Sequence, residues 1–424
     1  MKTTTTSNQY EKQKFGWVRA SFVVLPLLLL QNAVGQTSYT ITDLGTLGGT
    51  LSEADTVNQR GAVAGISTLA GDSVIRGWVW TGGNLIDVGS LSGGPNTIAQ
   101  NVNDLAQVTG VSDGATTLAD SNAACWNPTD FGTFSDPLDG HAFLWTAGTI
   151  KDLGTLGGKS SKGNRINNRG QIAGMSQINA SDPNGFVVCG GSPGSQIVHA
   201  FLYEKGKMTD IGTLGGYDCV ANPINDLGQI SGGCDVTRTI NPATGYPIHH
   251  PFLWTNGVMQ DLGSLGGALG YGEVVSNQGA VVGLTTLAGE QHVHGFLWQN
   301  GVMTDLGVFP GDTDSDAAGI NSSGQIVGGS FTNSTTRGVL WQNGTPIDLN
   351  SLIDPNSGCQ IAWTYWINDA GEIAGQAVVE STGETHAVLL TPNNNGIRGN
   401  SRSVPLTDSL RKLIFRGYRN RLLR

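Results

Sequence analysis

Phe252-Leu253-Trp254-Thr255-Asn256-Gly257-Val258-Met259-Gln260-Asp261-Leu262-Gly263 is one phrase. Val275-Ser276-Asn277-Gln278-Gly279 and Val281-Val282-Gly283 follow it, and His294-Gly295-Phe296-Leu297-Trp298 opens the phrase again, reaching Asn300-Gly301 and Asp305-Leu306-Gly307. Its aspartate recurs at Asp43, Asp87, Asp152, Asp210, Asp261, Asp305 and Asp348. The steps are 44, 65, 58, 51, 44 and 43 residues, so the unit is near 44 with insertions in the middle of the chain. Self-similarity at this period points to a propeller or a solenoid.

Each unit holds four short apolar runs. The first, as in Ala142-Phe143-Leu144-Trp145, is joined to the second through Ala147-Gly148, or elsewhere through Asn256-Gly257, Asn300-Gly301 or Asn343-Gly344. Asn-Gly between apolar runs signals a tight hairpin, since both residues tolerate positive φ. The third run ends at Ile166-Asn167 and the fourth is Gln171-Ile172-Ala173-Gly174, with a second turn between them. Two hairpins per unit predict four-stranded antiparallel sheets. Mixed aromatic and β-branched strands need cover on both faces, which radial repetition supplies.

The ends of the repeat array fit a ring. Tyr39–Gly45 reads as a second run lacking its first, and His386–Leu390 as a first run lacking its second. The expectation is therefore an all-β, seven-bladed β-propeller of four-stranded antiparallel sheets, closed by pairing of the N- and C-terminal strands. A linear solenoid is the alternative.

The phrases His141-Ala142-Phe143-Leu144-Trp145, Asp152-Leu153-Gly154-Thr155-Leu156-Gly157-Gly158 and Ile166-Asn167-Asn168-Arg169-Gly170-Gln171-Ile172-Ala173-Gly174 resemble the repeat of the bacterial extracellular HAF-repeat family, named for its His-Ala-Phe triplet. The resemblance covers nearly all of residues 39–392. It implies an exported β-repeat protein and supplies no catalytic residue to carry over.

Three segments are expected: a signal peptide at 1–35, the repeat body at 36–397 and a basic tail at 398–424. Lys2, Lys12, Lys14 and Arg19 precede the apolar run Phe22–Leu30, and Ala33-Val34-Gly35 offers small residues for cleavage. The expected location is secreted, periplasmic or cell-surface. The body holds 11 basic and 31 acidic residues, formally −20, the wrong sign for a nucleic-acid partner. In the tail, Leu410, Leu413, Ile414 and Phe415 alternate with arginines and a lysine, as in a short basic amphipathic helix that touches an anionic membrane or folds back on the acidic body.

Insertions at 113–140, 177–198 and 233–249 all fall between a fourth run and the next first run, hence on one face. Trp126, Phe131, Phe134, Phe186 and Tyr246 in them are candidate ligand contacts for a polysaccharide or a cell-envelope protein; pinning the loops to the body is the plainer use. Cys125 with Cys189, and Cys219 with Cys234, are candidate disulfides in an exported chain, leaving Cys359 over. The head of the first run carries His141, His199, His250, His294 and His386, with Arg76 and Arg337 in the other two units. They either crowd a channel mouth as a ligand site or hydrogen-bond turns within the units.

Asp312, Asp314 and Asp316 offer alternating oxygen ligands to calcium, although Ala317 and Ser323 stand where an EF-hand loop needs glycine and an acid. The repeated aspartates read as caps for the glycine turns that follow. There is no nucleophile elbow with a triad, no His-Glu-x-x-His and no P-loop, while an acidic pair involving Glu273 or Glu290 keeps hydrolysis open. The reading is an exported binding or scaffold protein recognising a polysaccharide or protein through one face. A glycan-active hydrolase or lyase and a purely structural envelope protein are the alternatives.

Overall fold

The inner strand of each unit is the third run: Gly48–Val57, Thr97–Val102, Gly157–Ile166, Cys219–Ile224, Gly266–Val275, Asp314–Ile320 and Cys359–Ile367. The second run is outermost. It is four residues long in six units, as at Thr149–Asp152, and largely exposed, the short polar edge that discourages further strand pairing. The computed structural model describes residues 1–2, 37–91, 94–113, 140–183, 195–393, 399–407, 410–411 and 414.

Register explains the glycine of the fourth run. Gly65, Gly110, Gly174, Gly232 and Gly283 sit directly opposite Trp78, Phe143, Phe201, Phe252 and Phe296, aromatic side chains that are fully buried. On its other side, each of these glycines meets an inner strand whose register shifts by a bulge. A Cβ at Gly174 would land on the carbonyl oxygen of Lys162, so only glycine fits.

The uniform sheets expected from the repeat are corrected. Hydrogen bonding groups the strands into five sheets of four, four, five, eight and eight strands, and no sheet closes into a ring. The eight-stranded sheets arise because the Leu-Gly-Gly segment leading into two inner strands is itself drawn into strand and meets the preceding unit in parallel, at Leu51 opposite Thr385 and Leu269 opposite His249. The fifth strand of one sheet is Val404–Pro405, which pairs with Thr335 and Thr336. Ser38–Gly45 does pair antiparallel with Thr385–Asn393, but off the main path of its sheet.

Circularity comes from the units rather than from a sheet. Each inner strand lies against the next, and Cys359–Ile367 lies against Gly48–Val57. At the end of six of the seven inner strands an Asn performs two tasks, and Ser276 at the seventh performs the first of them. The Oδ1 of Asn167 accepts the N–H of Arg169 and of Gln171, holding its own turn, while its Nδ2 donates to the carbonyl of Asn225 in the next unit. The same outward bond runs from Asn58 to Asn103, from Asn103 to Asn167, from Asn225 to Ser276, from Asn321 to Asn368 and from Asn368 back to Asn58.

The tail returns to the body. Leu406, Leu410 and Ile414 are buried in one apolar cluster with Phe331, Trp363 and Tyr365. Arg402 pairs with Glu380, and the Arg411 guanidinium donates to the Asn333 carbonyl at 2.6 Å.

Replacing Asn167 by alanine orphans two turn amides and takes one of two donors from the Asn225 carbonyl, which keeps the Gly228 N–H, and should cost about 2–3 kcal/mol in urea unfolding. Asn167→Ser keeps a short acceptor and should cost about half as much. Equal losses for the two variants would show that the outward bond, and not the local turn, carries the energy.

Candidate functional site

The turns that follow the inner strands enclose a cavity of about 350 Å³. Val57, Val102, Ile166, Ile224 and Val275, from five successive units, adjoin it, but their side chains are buried in the apolar clusters of the body and the exposed lining is mainly polar. Its rim is polar. The residue after each turn-capping Asn or Ser stands there, and six of the seven receive on their side chain the N–H of the preceding rim residue: Gln59 N–H to Asp104, Asp104 to Asn168, Asn168 to Asp226, Asp226 to Asn277, Ser322 to Asp369 and Asp369 to Gln59, all at 2.8–3.0 Å. Three rim carboxylates thus face one mouth. The Nδ2 of Asn168 bridges two of them, at 2.9 Å from Asp104 and 3.2 Å from Asp226.

Arg165 and Trp366 also line the cavity, from opposite sides of the ring. The buried guanidinium lies 5.1 Å from the Trp366 ring centroid and donates to the Gln100 carbonyl at 2.8 Å, a cation–π contact across the space between inner strands. The cavity is therefore mainly polar, amphipathic at Trp366 and Arg165, and rich in acceptors at its mouth. Such a surface suits a neutral, hydroxyl-bearing molecule better than an anion.

The residues singled out in the sequence lie elsewhere. His141, His199, His250, His294 and His386 each place Nδ1 within 2.6–3.0 Å of the repeat aspartate, namely Asp152, Asp210, Asp261, Asp305 and Asp43. Arg76 and Arg337 take the same station beside Asp87 and Asp348. These clasps join the first and second runs, and none of their residues lines the cavity. Each aspartate also accepts a backbone N–H two residues on, as Asp152 does from Gly154 at 2.7 Å and Asp348 from Asn350 at 2.9 Å.

Burial pushes the carboxyls of Asp43, Asp210 and Asp261 up, but the histidine hydrogen bond, the glycine N–H and the histidine charge together outweigh it and hold all three below the usual carboxylate range. The hydrogen bond to Asp43 raises His386 above the ordinary imidazole value, against burial.

Asp312, Asp314 and Asp316 do not converge. Asp312 is bound two-pronged by Arg337, which lies over Phe309, while Asp314 accepts the N–H of Val293 and faces His292. Asp316 is fully buried. Among the described residues no group of three His, Cys, Asp or Glu side chains is placed to hold a metal ion. Cys219 and Cys234, directly opposite in register, are disulfide-bonded, and Cys359 is a free thiol. Trp126, Phe131, Phe134, Phe186, Cys125 and Cys189 lie outside the described residues.

Tyr246 lies on the third insertion, half-buried, with its backbone bridged to Asn241. Because successive strands are antiparallel, that insertion leaves the opposite end of its unit from the cavity mouth. The rim residues had a signal in the sequence, a polar doublet after a β-branched residue in each unit, as in Val102-Asn103-Asp104 and Ile166-Asn167-Asn168. It reads first as turn chemistry, and only the circular arrangement makes it the rim of a cavity.

No protein-family model matches the chain, and no curated protein matches it. Solved structures are similar in fold. An acylaminoacyl peptidase in complex with Z-Gly-Gly-Phe-chloromethyl ketone aligns with a TM-score of 0.50 and 10% identity over 86% of this chain and 53% of that one. The β-propeller domain of the Trilobed protease from Pyrococcus furiosus gives 0.49 and 8% over 84% and 96%, and a Mycobacterium tuberculosis puromycin-hydrolyzing peptidase 0.48 and 9% over 88% and 56%. The chain spans about half the length of both peptidases. At these identities the likeness is one of fold alone: an all-β, propeller-like domain.

The His386–Asp43 clasp joins the last repeat strand to the first strand of the body. With Asp43 lowered, its contribution is present above pH 3.8 and is lost as pH falls through the folded value; with His386 raised, its contribution is present below pH 6.5 and is lost as pH rises through the folded value. His386→Ala should therefore lower Tm by about 1–2 °C more at pH 5.5 than at pH 9. An equal loss at both values would mean that packing, not charge, holds the joint.

Proposed function

We propose that this is a binding protein acting outside the cytoplasm, and that its ligand is a hydroxyl-rich molecule such as the end of a polysaccharide, held in the cavity at the turns of the inner strands. The observation that carries the reading is the polar rim of the cavity, with carboxylates and carboxamides contributed by successive units. Carboxylates accept hydroxyl donors strongly, and carboxamides match them as donor and acceptor. A Cys219–Cys234 bond, an apolar N-terminal stretch and the likeness to HAF repeats support export.

A second reading, hydrolysis of a glycan, draws on Asn168. One Nδ2 reaches both Asp104 and Asp226, which puts the two oxygens within about 6 Å of each other, close to the spacing of paired carboxylates in glycoside hydrolysis. Against it, the two carboxylates occupy equivalent rim positions, so their surroundings do not divide an acid from a base.

Calorimetric titration with maltotriose and cellotriose tests the first reading. Asp226→Asn and Asp369→Asn keep an acceptor for the neighbouring N–H but remove the charge, and each should weaken binding about tenfold with little change in Tm. Absence of binding by the unaltered protein would remove the reading. Release of reducing ends from either sugar, lost in Asp104→Asn, would favour hydrolysis instead.

A further inference from the structure

The rim of the cavity has two rings of unit-to-unit hydrogen bonds, and both are broken at the same joint. In the first ring, six of the seven capping residues are asparagines whose Nδ2 reaches the next carbonyl. The seventh is Ser276. Its Oγ still accepts the N–H of Gln278 and of Ala280, so its own turn is held, but a serine has no second arm to extend toward Asn321. In the second ring, the N–H of each rim residue is received by a Gln, Asn or Asp side chain of the next unit, except that of Asn277, whose neighbour across the joint is Ser322. A hydroxymethyl group is too short for that reach.

Two short side chains on opposite sides of one joint therefore remove both links at once. What remains is an unlinked donor, the Asn277 N–H, and an acceptor with a spare lone pair, the Asn321 carbonyl. That carbonyl receives the Gly324 N–H of its own turn and no second donor, whereas the Asn368 carbonyl receives both Gly371 and Asn321. All of these residues line the cavity except Gly324, Gly371 and Asn368. Elsewhere on the rim the same pair of backbone groups is satisfied by the protein itself. Here, on residues that line the cavity, they are left without a partner across the joint.

We infer that the joint between Ser276-Asn277 and Asn321-Ser322 is the subsite that fixes ligand orientation, and that it takes a pair of neighbouring hydroxyls on a saccharide: one accepts from the Asn277 N–H, and the other donates to the Asn321 carbonyl. This rests on the cavity being the binding site. The six sealed joints offer side-chain edges to a bound sugar; the open joint offers backbone groups whose positions are set by two turns. Backbone groups so placed discriminate between a diol and an isolated hydroxyl, because donor and acceptor must both be met.

The test is to close the joint. Ser276→Asn with Ser322→Asp installs the residue types found at the other joints, as at Asn225-Asp226 and Asn368-Asp369. The double variant should melt at the same or a higher temperature than the unaltered protein and bind maltotriose or cellotriose at least tenfold more weakly. Amide hydrogen exchange supplies a second readout on the unaltered protein: the Asn277 N–H should exchange faster than that of Asn168 or Asp226, and should become protected when the trisaccharide is added. Undiminished binding by the double variant, or an Asn277 amide indifferent to the sugar, overturns the subsite while leaving the cavity as a binding site. If the unaltered protein binds neither sugar, the cavity reading fails and the subsite with it.

Discussion

The side chain of a single asparagine, repeated from unit to unit, is the constraint on which the arrangement depends. It caps its own turn through Oδ1 and reaches the neighbouring turn through Nδ2, so local conformation and unit-to-unit spacing are set by the same planar group. Asn167 and Asn225 are both buried, where an unmet amide is costly. A unit that moved away from its neighbour would therefore lose more than packing; it would leave polar groups in a space with few replacements for them.

Packing then follows from register. Glycine opposite a buried aromatic lets the bulged inner strand press close, and the bulge gives the inner strands the extra twist that brings their ends together around a cavity. The histidine and arginine clasps work at the other side of each unit, tying the short outer strand to its partner through an aspartate that also holds the following turn. Inner asparagines and outer aspartates are thus two versions of one device, a side chain that accepts from its own turn while contacting a second strand. Only the inner version encloses a space.

Much of this was legible in the residues. The four runs, both turns and the capping role of the aspartates follow from Asn-Gly pairs, glycine positions and the 44-residue step. The pairing of Ser38–Gly45 with Thr385–Asn393 follows from complementary ends. Uniform sheets did not survive, because Gly48-Gly49 and Gly266-Gly267 permit a lead-in strand that touches the preceding unit, a contact that no local pattern announces. The cavity was not legible for a similar reason. His141 and its counterparts repeat conspicuously, but their purpose is visible only with the aspartate eleven residues on in register, whereas Asn103 and Asp104 look like ordinary turn residues until seven turns meet.

Ser38 donates to Asn393 across 355 positions of sequence, and the strand beginning at Ser38 has no other strand partner among the described residues. A nascent chain therefore carries this strand unpaired until Thr385–Asn393 has been made, and Val404–Pro405 with Leu406 and Leu410 come later still. Units in the middle can assemble with their neighbours as they emerge, but Ser38–Gly45 can pair only once Thr385–Asn393 has emerged. Contacts of such long range close slowly, since the loop entropy is spent before the strand bonds form. A chain cut short anywhere before Thr385 would leave Ser38–Gly45 without the one strand partner it has among the described residues.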